Sequence, residues 1–259
     1  MQTTKVIHLT VNWLKTYCDN AGLKGFLVGV SGGIDSAVTS TLCAMTGKEL
    51  ILLNMPIYQA IDQLSLAEQH ITWLKKNHKQ AHGVRIDLTT AFQALENSFP
   101  TDIRDEITLA NTRSRLRMVT LYAFASHHKM LVVGTGNKVE DFGIGFYTKY
   151  GDGGVDIAPI ADFMKSEVYT IGKELGISEA ILSAPPTDGL WIDNRTDETQ
   201  IGATYVELEW AMLFDAASRD EDNLNTRQKE VLAIYRRLHQ ANKHKMIPIP
   251  VFNIPDSLR

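Results

Sequence analysis

The chain has only two cysteines, Cys18 and Cys43, in 259 residues. Their spacing fits neither a zinc site nor a redox pair, which predicts two buried thiols in a reducing compartment. Long hydrophobic runs are also missing. No apolar stretch reaches ~18 residues, and "MQTTKVIHLTVNWLKTYCDN" at the N-terminus lacks the basic, apolar and small-residue order of a secretory signal. A membrane span is therefore excluded, and a soluble cytoplasmic protein is expected. Positive charge is scarce as well: 26 Lys and Arg against 30 Asp and Glu leave a net charge of -4. That balance argues against nucleic acid as a partner, so an anionic substrate must be held by a few placed groups. The eight histidines offer no metal-ligand set, since His127 and His128 are adjacent and His70, His78 and His82 lie on or beside one polar helix. There is no internal repeat, low-complexity tract or separating linker, and residues 1–259 read as one domain.

What is present alternates in a regular way. Val6, Leu9, Val11, Leu14 and Tyr17 recur at helical spacing over residues 4–20. "GFLVGV" follows as a buried strand, then a helix from Ser36 to Thr46 and a second strand, "LILLNMP", ended by Pro56. Residues 62–79 predict a partly exposed helix, "VRIDL" at 84–88 a short strand, Arg104 to His127 one long helix, and "KMLVVGTGN" a further strand. Residues 155–160 predict a last short strand. Strands alternating with helices of this length predict an α/β fold of three layers, α/β/α, around an open parallel sheet. After residue 183 comes a polar loop, "SAPPTDGLWIDNRTDE", longer than an ordinary connection and expected to order with substrate. Two helices, roughly 198–217 and 223–243, close the pattern. Their aromatic-bearing "TYVELEWAMLF" reads as a face packed on the core.

The chemistry begins at "VSGGIDS", residues 30–36, on the carboxyl end of the first strand, where open parallel sheets bind ligands. Gly32 and Gly33 allow close approach of backbone to a ligand, Ser31 and Ser36 supply hydroxyls, and a helix start presents free N–H groups. Together these make an anion cradle. An acid inside such a cradle needs a cation between itself and the anion, so Asp35 implies Mg2+. The spacing is neither G-x-x-x-x-G-K-[ST] nor G-x-G-x-x-G, which disfavours an ordinary P-loop kinase and a dinucleotide-binding Rossmann protein.

This stretch resembles the pyrophosphate loop, S-G-G-x-D-S, of the N-type ATP pyrophosphatases, whose fold is the Rossmann-like adenine nucleotide alpha hydrolase type. The loop alone leaves GMP, asparagine, argininosuccinate and NAD synthetases and tRNA-modifying enzymes open. Residues 133–169, "VGTGNKVEDFGIGFYTKYGDGGVDIAPIADFMKSEVY", are similar to the central block of the NAD synthetases. So are "NTRSRLRM" at 111–118, "PPTDGLW" at 185–191, "RTDE" at 195–198 and "KHK" at 243–245. The resemblance runs from about residue 4 to 252.

It implies Mg-ATP-dependent amidation of deamido-NAD by ammonia through an adenylated intermediate, giving NAD, AMP and pyrophosphate. By the same resemblance Gly29, Val30, Ser31, Gly32, Gly33, Ile34, Ser36, Thr135, Lys165 and Thr187 bind ATP, while Asp35 and Glu140 share the metal. Asp35, Lys165 and Asp152 are implied in catalysis, Lys165 on the leaving pyrophosphate and Asp152 in orienting ammonia. Arg115, Lys149, Asp156, His244 and Lys245 match positions that contact deamido-NAD. Arg113, Arg115 and Arg117 sit at i, i+2 and i+4 of a helix and cannot all face one way. The family also implies a homodimer with deamido-NAD across the interface, for which the long helix at 104–127 is a candidate contact. No attached glutaminase is expected, so ammonia would be free or delivered by a separate subunit. A related ATP pyrophosphatase would not need "TKYGDGGVD", and a nonenzymatic nucleotide sensor would have no use for Glu140 or Lys165.

Overall fold

A computed structural model describes residues 1–59, 61–187 and 196–259. Four parallel strands form one sheet in the order β3-β2-β1-β4: β1 (Gly25–Gly29), β2 (Glu49–Asn54), β3 (Ala81–Arg85) and β4 (Leu131–Val133). The three apolar strands alternate strictly between two buried faces, as a pleat of period two requires. Phe26, Val28, Leu50, Leu52, Leu131 and Val133 enter one core with α1 (Thr3–Asn20) and α2 (Ile34–Met45). Three more helices pack into that core: α3 (Ile61–Asn77) and, after residue 133, a helix beginning at Lys165 and a short one at Glu179–Leu182. Leu27, Ile51, Leu53 and Val132 enter the other, with Phe92 of α4 (Thr89–Ser98) and Ala125 of α5 (Glu106–His128). This is the three-layer α/β/α arrangement that alternating strands and helices led us to expect.

The structure departs from the sequence reading in both strands and helices. The third strand is Ala81–Arg85, not 84–88. Residues Leu50 to Asn54 pair with Ala81 to Arg85, so the register of β2 overrides the local apolar signal of "VRIDL". Residues 155–160 form no strand: Ile157 makes one isolated parallel bridge to Val133. The first helix buries Ile7, Leu14 and Cys18, while Leu9 and Tyr17 from the expected stripe are exposed. Its buried face is rotated from the one read off Val6, Leu9 and Val11, because contact with α2 and the helix beginning at Lys165 selects the face.

The remaining helices are α6 (Lys165–Glu174), α7 (Glu179–Leu182), α8 (Asp197–Ile201), α9 (Tyr205–Ala216) and α10 (Thr226–Met246). One helix was expected over 198–217. Gly202, at φ 86°, closes α8 in a left-handed turn, and Thr204 restarts the chain as the cap of α9 with Glu207 answering it. A third core joins α9 and α10 to a π-helical turn at Val139–Ile144, through Val139, Ile144, Leu208, Val231 and Tyr235. The chain runs from β1 outward through β2 to β3, then returns to place β4 on the other side of β1. The switch point between the carboxyl ends of β1 and β4 is where such sheets hold ligands.

His70 of α3 is buried at 3% exposure, stacks on Trp73 and places Nε2 2.9 Å from the Ser40 hydroxyl. Burial pushes its pKa down to about 4. Between that value and the ordinary 6.5 the unfolded chain binds the extra proton, so this contribution is complete above about pH 6.5 and is lost toward pH 4. It amounts to about 3 kcal/mol. Urea unfolding from pH 7.5 down to pH 4.5 is expected to show a shallower loss of stability in His70→Gln than in the wild type; equal slopes would contradict the assignment.

Candidate active site

Between the carboxyl ends of β1 and β4 lies a cavity of about 420 Å3. Gly29, Val30, Ser31, Gly32, Gly33, Ile34, Asp35 and Ser36 line it from β1 and α2, and Thr135, Glu140, Asp152, Lys165 and Thr187 line it from elsewhere. All the residues assigned to ATP, the metal and catalysis by the sequence thus come to one cavity. The loop of β1 turns through Gly32 at φ 94°, a conformation an L side chain resists. Its hydroxyls are organised inward: the Gly33 N–H donates to Ser31 Oγ at 3.2 Å, and Ser36 Oγ donates to the Gly33 carbonyl at 2.9 Å. Asp35 then falls in the first turn of α2, where the helix dipole favours a negative charge.

At the centre, Lys165 Nζ donates to Asp35 Oδ2 at 2.6 Å and to Glu140 Oε1 at 2.9 Å. Lys165 is 3% exposed. Burial opposes its charge, but the two carboxylates together outweigh burial and hold the ammonium above its ordinary range. Burial raises Asp35 more than Lys165 lowers it, so its carboxyl stands above the usual range. Burial also opposes ionised Glu140, yet Lys165 and the Tyr205 hydroxyl prevail and hold it below. Two acids sharing one cation leave one uncompensated charge, and the opposite displacements divide it.

Two residues that the sequence did not single out build this cluster. Asn137 is fully buried; its Oδ1 accepts the N–H groups of Val139 and Glu140 at 3.1 and 3.2 Å, and its Nδ2 donates to Asp35 Oδ1 at 3.2 Å. One side chain therefore starts the π-helical turn that carries Glu140 and ties it to Asp35. Tyr205 donates its hydroxyl to Glu140 Oε1 at 2.5 Å, lies 3.2 Å from Asp197 Oδ2, and sets its ring 4.5 Å from Lys165 Nζ. The only sequence signal for Asn137 was its place inside "GTGN". Tyr205 was read as core, and its ring is core, but its hydroxyl reaches the site across 65 residues.

Asp152 is delivered by the "TKYGDGG" turn. Ser114 Oγ donates to Asp152 Oδ1 at 2.6 Å and the Thr148 N–H at 3.0 Å, while burial raises the carboxyl. A Cβ on Gly151 would stand 2.3 Å from Ser114 Oγ, so the turn closes on α5 only because that residue is glycine. Asp141 also lines the cavity, and burial beside Glu140 and Asp152 pushes its carboxyl up to about 8.

The residues matched to deamido-NAD lie elsewhere. Arg115 Nε donates to the Lys149 carbonyl at 3.3 Å, Lys149 Nζ to the His244 carbonyl at 2.9 Å, and Lys245 Nζ to the Gly145 and Tyr147 carbonyls at 2.7 and 2.8 Å. Lys149, His244 and Lys245 bind the end of α10 to the 145–149 segment, and Arg115 ties α5 to the same segment. Asp156 sits apart, accepting from the Tyr122 hydroxyl at 3.0 Å and the Val132 N–H at 2.8 Å. As their spacing required, the three arginines diverge: Arg113 lies over the Phe92 ring at 5.3 Å and Arg117 donates to the Met55 carbonyl at 3.0 Å. The proposed ordering of the 183–197 loop falls on residues 188–195, outside the described residues, as does much of "PPTDGLW".

A parallel sheet with a glycine turn and a helix start at its switch point, and beside it a buried lysine between two acids, is the framework of a nucleotide-handling enzyme. The sequence profile of the NAD synthase family matches residues 6–248. The NH(3)-dependent NAD(+) synthetase of Carboxydothermus hydrogenoformans is 35% identical over 239 residues, 91% of each chain. Among solved structures, the NMN synthetase of Francisella tularensis superposes with a TM-score of 0.85 at 30% identity, covering 98% of this chain and all of that one. The NH3-dependent NAD synthetase of Campylobacter jejuni gives 0.79 at 25% identity, over 98% and 100%. The chain belongs to the NAD synthase family: it is a ligase of NAD biosynthesis that forms a C–N bond and uses ATP.

Replacing Asn137 by Ala orphans two N–H groups and removes a donor from Asp35. Asn137→Ala is expected to lower the unfolding free energy by about 2 kcal/mol in urea titrations. An unchanged midpoint would show that this bridge carries no weight.

Proposed function

We propose that residues 1–259 form one ammonia-dependent unit that amidates deamido-NAD. The nicotinate carboxylate attacks the α phosphate of ATP, pyrophosphate leaves into the 31–36 loop, and ammonia displaces AMP to give the amide. The observation that carries this reading is the Lys165–Asp35–Glu140 cluster beside a phosphate cradle in a chain of this family.

Asp35 and Glu140 fit Mg2+: both are carboxylates that converge on one cation position, and an octahedral ion keeps water in its other places. When bound there, the ion would neutralise phosphate charge. The 31–36 loop, Thr135 and Thr187 bind ATP, and Lys165 stabilises negative charge as pyrophosphate departs. Asp152, held by Ser114 and Thr148, orients the nitrogen nucleophile. Arg115, Lys149, Asp156, His244 and Lys245 serve deamido-NAD. Lys245 and Lys149 now hold backbone carbonyls, so this role asks their ammonium groups to exchange those partners for phosphate.

A homodimer would join the separated Asp156 to a neighbouring site. In its support, α5 fully buries only Ala110, Ser114 and Ala125 and leaves Ile107 and Val119 exposed at 65% and 57%. The cytoplasm is the compartment this chemistry suits, and among the described residues no helix is long and apolar enough to cross a membrane.

A second reading rests on the Francisella structure, an NMN synthetase. A mononucleotide would not need to bridge Asp156 and the Arg115–Lys149 group, so the same chemistry would yield NMN.

Incubation with ATP, Mg2+, ammonium and deamido-NAD is expected to give NAD and AMP, faster above neutral pH as ammonium deprotonates. ADP as product would sink the proposal, and a higher kcat/KM with nicotinate mononucleotide would select the second reading. Asp35→Asn is expected to stop turnover while keeping the unfolding midpoint near that of the wild type; normal rates would remove the metal assignment. Light scattering is expected to give twice the 28.9 kDa chain mass, and Val119→Glu to shift it toward the monomer; a wild-type monomer would contradict the dimer.

A further inference from the structure

The position where Asp35 and Glu140 converge is filled by a cation, the Lys165 ammonium, at 2.6 and 2.9 Å. We infer that Lys165 is a resident counter-ion that keeps a free divalent metal out, so that the metal enters only with the polyphosphate that draws the ammonium away. This rests on the reading of Asp35 and Glu140 as metal ligands.

The argument is one of charge. Asp35 and Glu140 sit together under low exposure, with side chains 18% and 15% accessible. Such a pair without a cation is costly, since like charges at short range in a poorly solvated site raise one another's energy. Lys165 relieves it and is itself buried, so each partner depends on the others. A bare divalent ion approaching this arrangement meets a positive charge where it would bind. To enter, it would have to expel the ammonium toward the Tyr205 ring, whose hydroxyl is committed to Glu140. An ammonium moved that way would give up both of its carboxylate bonds, whatever it gained from Asp197 beside the Tyr205 hydroxyl.

A metal that arrives on a polyphosphate changes this balance. The phosphates bring negative charge to the cradle of residues 31–36, within the cavity that Lys165 also lines. The lysine has a four-carbon stem and three rotatable donors, so its head can turn from carboxylate to phosphate while its Cα stays in place. Its Cα is fixed as the first residue of α6, with Val168 and Ile171 buried in the main core. That location carries a second indication. The amino end of a helix disfavours a cation and favours an anion. Lys165 stays there because two carboxylates hold it, and an incoming phosphate suits both the helix end and the ammonium. Tyr205 and Asn137 keep Glu140 and Asp35 in place during the exchange, through bonds at 2.5 and 3.2 Å that do not involve the lysine.

The test uses Mn2+ as the metal and follows its binding by electron paramagnetic resonance on the full chain, with and without α,β-methylene-ATP, which cannot be cleaved at the bond in question. Wild type is expected to bind Mn2+ about tenfold or more tighter with the analogue, beyond the affinity of the analogue alone. Lys165→Met is expected to bind Mn2+ without nucleotide about tenfold tighter than the wild type does. Equal affinity of the wild type with and without nucleotide overturns the inference, as does a folded Lys165→Met that gains nothing. If Lys165→Met does not fold, the wild-type titration decides alone. Asp35→Asn separates the two layers: retention of wild-type Mn2+ binding in the presence of the analogue refutes the metal ligands themselves, whereas its loss leaves the lysine's part to be judged by the other arms.

Discussion

The site depends on one interaction, the Lys165 ammonium shared by Asp35 and Glu140. These residues come from the first turn of α2, the π-helical turn after β4 and the first turn of α6. The acids are separated by 105 positions along the chain, and both lie in surroundings that oppose charge. Neither acid is tolerable there alone, and the lysine would be no better placed without them. The cluster therefore acts as a joint between the two halves of the chain.

The rest of the architecture can be read as what brings those three groups into register. The order β3-β2-β1-β4 sets β4 against β1, so that the loop after each opens into the same crevice. Helices α9 and α10 then close on the turn at Val139–Ile144, and Tyr205 reaches through that packing to Glu140. Asn137 links the same turn to Asp35. The polar bonds are few, but each starts from a residue whose backbone is held by a core, which is how a site keeps its geometry without substrate.

Legibility in the sequence followed the range of the physical signal. The pleat alternation in "GFLVG" and "LILLN" is local and strong, and those strands formed where expected. "VRIDL" had the same local character, but pairing with β2 moved the strand to Ala81–Arg85. The aromatic run at 204–214 was legible as a packed face, yet nothing near Tyr205 announces a carboxylate 65 positions away. Lys245 and Lys149 matched positions that contact a ligand, while the folded chain gives their ammonium groups to backbone carbonyls.

By itself the sequence determined the class of fold, the glycine turn and helix start at residues 30–36 and, through motif order, the family. These follow from short-range facts: pleat period, glycine freedom, hydroxyl chemistry and a helix start. Only the tertiary structure decided that Lys165 sits between the two acids, that Asn137 and Tyr205 hold those acids, and that Asp156 stands apart from the basic group at the end of α10. Such facts depend on where strand order and helix packing bring distant residues, and on which buried charges must then share a partner. Local sequence does not carry that information, because the cost of a buried charge is set by its neighbours in space.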